Sequence, residues 1–140
     1  LVFRFRDSGR DTVALSEIDA TGRSAMSHYV HRFAAANAQF IALFGMTPAY
    51  QREQGCGFST FEFQLAFLGA LRSGDSVTVK CGLTHLGASS MRILHRMFNA
   101  RTGALVATLH QLGVHLDMRA RRPRPLPDAL RERAKALLVS

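Results

Sequence analysis

Residues 17–29 read Glu-Ile-Asp-Ala-Thr-Gly-Arg-Ser-Ala-Met-Ser-His-Tyr, so Glu17 and Asp19 stand just ahead of Gly22 and of a helical pattern. A carboxylate in that place has two readings. Asp is among the best helix caps, because its oxygens satisfy backbone N–H groups that the first turn leaves free. A carboxylate is also a residue type that serves hydrolysis as general base or nucleophile.

Other hydrolytic and metal chemistries find little support. No Ser-His-Asp order and no G-x-S-x-G elbow occur. Cys56 and Cys81 form no C-x-x-C pair and no Cys/His spacing suits zinc, so both are read as reduced, packed thiols with no metal. His95 alternates with Met91, Ile93 and Met97, the pattern of an interior histidine with its hydrogen bonds satisfied. The net charge of +8 is concentrated beyond residue 118, where Arg119, Arg121, Arg122, Arg124, Arg131, Arg133 and Lys135 meet only Asp128 and Glu132. Such a cluster attracts nucleic acid, an anionic membrane or a phosphate-bearing ligand, or it is simply a solvated tail. Without interleaved aromatic residues or a recognition motif, nucleic acid is disfavoured as a partner; no membrane partner is expected, and the solvated tail is favoured over any single partner.

The elements that position these groups follow from periodicity. Residues 1–6 and 12–18 read as short extended segments around a turn, Asp7-Ser-Gly-Arg10. From about Ala25 to Phe44 the residues Tyr29, Phe33, Ala36, Phe40 and Phe44 recur at helical steps, with Arg32 off that stripe. Val30, Ala34, Ile41 and Leu43 widen the apolar surface, which predicts a helix wrapped by the rest of the fold. Gly45 stops it and Pro48 prevents its resumption.

Period-two patterns then mark four strands, at about 58–67, 77–84, 91–98 and 105–116, in an antiparallel meander. In the first of them Phe61, Phe63, Leu65 and Phe67 share one face, and Thr60, Glu62 and Gln64 the other. Arg122-Pro-Arg-Pro-Leu-Pro127 breaks regular structure ahead of a short helix, 128–138. At 140 residues and 47% apolar content, this is one α+β domain, residues 1–140, with a basic C-terminal extension at about 119–140. A long central helix wrapped by a curved antiparallel sheet is the hotdog layout. An unpaired edge strand on such a sheet predicts a homodimer or homotetramer. No run nears the roughly 20 apolar residues of a membrane span, and the start lacks the apolar core of a secretion signal. The expectation is a cytoplasmic protein. Its first residue is Leu rather than Met, which is read as an N-terminus that is missing or trimmed.

The 17–29 stretch resembles the signature of the 4-hydroxybenzoyl-CoA thioesterase type of hotdog protein, in which Asp-x-x-Gly opens the central helix and a Tyr follows. Glu17, Asp19, Gly22 and Tyr29 match it. Ser59-Thr-Phe-Glu62, Leu71-Arg-Ser-Gly-Asp75, Leu94-His-Arg-Met-Phe-Asn99, Ala107-Thr-Leu-His-Gln111 and Val114-His-Leu-Asp-Met118 are similar to the betainyl-CoA thioesterase group. The resemblance covers about residues 12–120. Many relatives read Asp-x-x-Gly-His-x-Asn, whereas this chain has Arg23 and Ala25 at the last two places.

The resemblance implies hydrolysis of an acyl-CoA thioester to free acid and coenzyme A. Asp19 is then base or nucleophile, and an amide near Met26 holds the developing oxyanion. Glu62, by the same resemblance, reaches a dimer cleft, against an even prospect that it faces solvent or an ion-pair partner. Thr60 is its hydrogen-bonding neighbour. His28 can orient Asp19. Gln111 and His115, on one side of the last strand, line the acyl pocket or make structural hydrogen bonds. Arg119, Arg121 and Arg122 are the candidates for the phosphates of coenzyme A. No bound cofactor or metal is needed. The alternatives are a hotdog protein that binds an acyl thioester without turnover and, further off, a nucleic-acid-binding module.

Overall fold

Tyr29, Phe33, Ala36 and Phe40 lie on one stripe of α1 (Met26–Ala42), and all four are buried against the sheet. The structure is a computed structural model that describes residues 5–14 and 26–139. The element order is β1 (Arg6–Thr12), α1, α2 (Pro48–Gln54), β2 (Cys56–Phe67), β3 (Ser76–Leu86), β4 (Ser90–Asn99), β5 (Leu105–Asp117), β6 (Arg122–Pro123) and α3 (Asp128–Lys135). The strands form one antiparallel sheet in the order β1-β3-β4-β5-β2, with β6 on the end of β5. One face packs on α1. Phe33, Phe40, Phe44, Leu83, Met91, Ile93 and Met97 are fully enclosed between them.

Five local expectations change. The proposed turn at Asp7-Ser-Gly-Arg10 lies inside β1, which pairs with β3 through a register shift between Asp7 and Gly9. Ladder hydrogen bonds to β3 outweigh the turn preference of those residues. Pro48 begins a helix rather than preventing one. Thr47 Oγ1 accepts from Tyr50 N–H at 3.1 Å, Pro48 takes the first turn where its missing N–H is no loss, and Gly55 at φ 64° closes α2. The strands after α1 are not a four-strand meander. β3, β4 and β5 are, but β2 crosses to the far side of β5 and forms an edge.

The helix also keeps a wet side. His31, Ala34, Ala35, Ala38 and Gln39 are exposed, because the sheet covers only one flank of α1. Arg32, placed off the apolar stripe by its type, is buried instead. Its Nε stands 3.4 Å from Asp11 Oδ2, and its Nη2 donates to Thr12 O at 3.4 Å, which holds β1 to the helix.

The basic segment after β5 packs into the fold. Leu126, Leu130, Ala134 and Leu137 join the core, and Arg131 Nη2 donates to Gly87 O and Ala88 O at 2.9 and 2.6 Å. Leu83 N–H donates to Leu137 O, and Val139 N–H to Leu83 O. The charges on this segment therefore decorate an element whose apolar side is structural. Among the described residues no helix is long and apolar enough to cross a membrane.

Candidate active site

Where α1 lies beside the β2–β5 pair, the surface opens into a cavity of about 200 Å³. Val30, Phe33 and Asn37 of α1, Phe63 of β2 and Leu109 of β5 wall it, and Thr60 and Gln111 add polar groups. A mostly apolar space with a few placed polar atoms is the usual character of a ligand site.

The polar pair is held from behind by a chain of hydrogen bonds. Gln111 Nε2 donates to Thr60 Oγ1 at 2.7 Å, and Gln111 Oε1 lies 2.6 Å from His95 Nε2. His95 Nδ1 lies 2.8 Å from Cys81 Sγ. His95 has no exposure, and burial lowers its pKa to about 4 against a smaller upward pull from Gln111. The ring is therefore neutral near pH 7. This matches the expectation of an interior, satisfied histidine.

The face of each β2 residue is set by a bulge. Thr60 pairs with Gly113, yet Glu62 pairs with Leu112, so Phe61 is an extra residue in the ladder. Residues directly opposite share a face. Thr60 and Phe63 thus face α1, whereas Glu62 and Gln64 face outward. There they border a second space of about 280 Å³ with Thr84, Arg92 and His110. Thr60 is therefore the neighbour of Gln111 and not of Glu62, a correction to the alternation read from sequence.

Asp19 lies outside the described residues, as do Glu17 and Gly22. Met26 is the first residue of α1, with its side chain exposed, and His28 is in the same turn. Tyr29, the aromatic residue of the 17–29 pattern, accepts from Leu71 N–H at 3.2 Å and stands edge-on to Phe67 at 5.1 Å. It fastens the helix start to the segment leaving β2.

Arg119 and Arg121 are exposed in the turn after β5, and Arg122, also exposed, opens β6. That turn is built on Asp117, whose carboxylate accepts from Ala120 and Arg119 N–H. The Ala120 bond chiefly holds the Asp117 pKa below the ordinary carboxylate value, with help from Arg119 N–H and the Arg124 guanidinium. The turn lies about 13 Å along β5 from Gly113, the partner of Thr60. Within one chain, the three arginines and the cavity are at different places. His115 is structural: Nδ1 donates to Arg124 O at 2.7 Å and Nε2 accepts from Tyr50 O–H at 2.8 Å. Among the described residues, no three His, Cys, Asp or Glu side chains converge as a metal ion requires.

A long helix laid across a curved antiparallel sheet, with a cavity at their junction, is what the family comparison meets. Residues 13–134 match the model of the thioesterase-like superfamily. The chain belongs to that superfamily. The match runs from the end of β1 through most of α3, so the helix that follows the basic turn is part of the superfamily's fold. The chain is similar to an L-carnitine dehydrogenase/betainyl-CoA thioesterase of a Rhizobium species, 25% identical over 125 residues, which covers 89% of this chain and 25% of that one. It thus spans about a quarter of the length of the curated relatives it matches. Among solved structures, a hypothetical protein from Staphylococcus aureus in complex with CoA superposes with a TM-score of 0.89 at 15% identity, covering 100% of this chain and 89% of that one. A thioesterase from Thermus thermophilus, complexed with coenzyme A and Zn, gives a TM-score of 0.79 at 27% identity, covering 96% and 94%. The fold of this thioesterase-like chain is the hotdog fold.

Two features of the site escape the sequence pattern. Asn37 sits among apolar positions of α1, and the polar interruption is the signal that could have marked it. Its Oδ1 is buried with no hydrogen-bond partner among the described residues, beside the cavity. Cys81 as the partner of His95 has no local signal, since β3 and β4 bring them together from 14 residues apart.

Proposed function

We propose that this chain hydrolyses an acyl-CoA thioester to free acid and coenzyme A, as a homodimer or a tetramer of such dimers, in the cytoplasm. The observation that carries this reading is the cavity between α1 and the β2–β5 pair, with Thr60 and Gln111 on its wall, in a chain of the thioesterase-like superfamily. Thioester hydrolysis needs a group that activates water or attacks the carbonyl, and donors for the oxygen that becomes negative. In this reading Asp19 is that group, and the N–H groups at the start of α1, that of Met26 among them, are the donors. His28 orients Asp19. Arg119, Arg121 and Arg122 bind the phosphates of coenzyme A supplied across the subunit boundary. Neither metal nor bound cofactor takes part. Residues 1–140 act as one domain.

The dimer is supported by the edge strand. Phe61 and Phe63 of β2 are 59% and 54% exposed, and an apolar sheet edge invites a second copy. A panel of acyl-CoAs with a thiol-trapping dye tests the activity. Wild type is expected to release thiol, and Asp19→Asn to lose about a hundredfold or more. Absence of release, or release unaffected by Asp19→Asn, removes the corresponding part of the reading. Arg23 and Ala25, at the places where relatives carry His and Asn, favour one alternative, a protein that binds the thioester without turnover. Calorimetric binding of an acyl-CoA that stays intact would establish it.

A further inference from the structure

Thr60 Oγ1 lies at the end of a chain whose every link has an assignable direction. Gln111 offers one acceptor oxygen and one donor nitrogen, and its nitrogen faces Thr60. Its oxygen faces His95 Nε2 at 2.6 Å, and an amide oxygen only accepts, so Nε2 carries the ring proton. A neutral ring has one N–H. Nδ1 is then an acceptor, and it takes the Cys81 S–H at 2.8 Å. With a lone pair of Thr60 engaged by Gln111, the hydroxyl hydrogen is what remains to be placed. Among the described residues it has no acceptor, and Thr60 lines the cavity. Thr60 is exposed, so in the free chain that hydrogen is turned to solvent, and a ligand entering the cavity must supply an acceptor in place of water.

We propose that Thr60 is a substrate-contacting hydrogen-bond donor to an acceptor atom of the bound acyl thioester, and that Gln111, His95 and Cys81 are positioning residues that fix its direction. The ligand class rests on the thioesterase reading. The direction of the chain does not. Were the Gln111 amide reversed, the ring proton would sit on Nδ1 toward Cys81, Gln111 Oε1 would take the Thr60 proton, and only lone pairs would face the cavity. The tautomer of a buried ring thus reports what Thr60 offers a ligand some three side chains away.

Nitrogen-15 NMR of the imidazole of His95 in the intact chain reads that tautomer. The Nε2–H form is expected, and the Nδ1–H form overturns the proposal. On the thioester that wild type turns over best, Thr60→Val is expected to lower kcat/KM about ten- to a hundredfold, with Thr60→Ser restoring most of it. Gln111→Glu offers two acceptor oxygens, draws the Thr60 proton away from the cavity, and is expected to lose a similar factor. It adds little on top of Thr60→Val, and it raises the His95 titration from about 4. A Thr60→Val enzyme as active as wild type overturns the proposal. If wild type hydrolyses no acyl-CoA, the functional reading fails by itself. The Thr60 contact is then read from the dissociation constant of an intact acyl-CoA, expected to rise about tenfold or more in Thr60→Val and unchanged if the contact does not exist.

Discussion

Thr60 and Glu62 are two residues apart in β2 and face opposite sides of the sheet, because Phe61 is the extra residue of a bulge between them. Only Thr60 reaches the cavity beside α1; Glu62 borders the outer space with Arg92 and His110. Glu62→Gln is therefore expected to leave kcat/KM within about twofold of wild type, since Glu62 is exposed and does not line the cavity beside α1. A loss of a hundredfold in steady-state kinetics would bring Glu62 back into the site through a partner subunit.

The buried His95 makes stability depend on acid. Its folded pKa of about 4 lies below its ordinary value of 6.5, so between those values the unfolded chain binds the extra proton. Stability is full above about pH 6.5 and falls as the pH drops toward 4, by roughly 3 kcal/mol for a shift of this size. Urea midpoints at pH 7, 5.5 and 4.5 should fall in that order. An NMR titration placing the His95 midpoint near 6.5 would contradict this.

Helix α3 carries basic charge on one side and core residues on the other. Leu130→Ala empties a buried position and is expected to cost about 2–4 kcal/mol in urea unfolding. Lys135→Ala removes an exposed pair with Glu132 at 3.0 Å and is expected to cost less than about 0.5 kcal/mol. Equal effects from the two variants would mean that α3 is not docked as described.

Phe63 points from an edge strand toward the side of α1, half exposed. Phe63→Lys, on the homodimer reading, converts a species of about twice the chain mass to a monomer in light scattering and lowers thiol release with it. Retention of the dimer would move the interface elsewhere.

Local periodicity determined much of this protein. Val77, Val79, Cys81 and Leu83 alternate in sequence and are buried together in β3, and Tyr29, Phe33, Ala36 and Phe40 recur at helical steps and meet the sheet. Such patterns are legible because strand and helix repeat over a few residues. The 17–29 stretch pointed to the superfamily, although Asp19 itself lies outside the described residues. Partner choice between distant segments leaves no local trace. Only the tertiary structure set β2 beside β5 instead of β3, buried Arg32 against Asp11, and folded the basic segment onto Leu83. It also decided the face of Thr60, because one unpaired residue reverses a period-two pattern. The hydrogen bond from Gln111 to Thr60 spans 51 residues of chain, and no spacing short enough to read along the sequence encodes it.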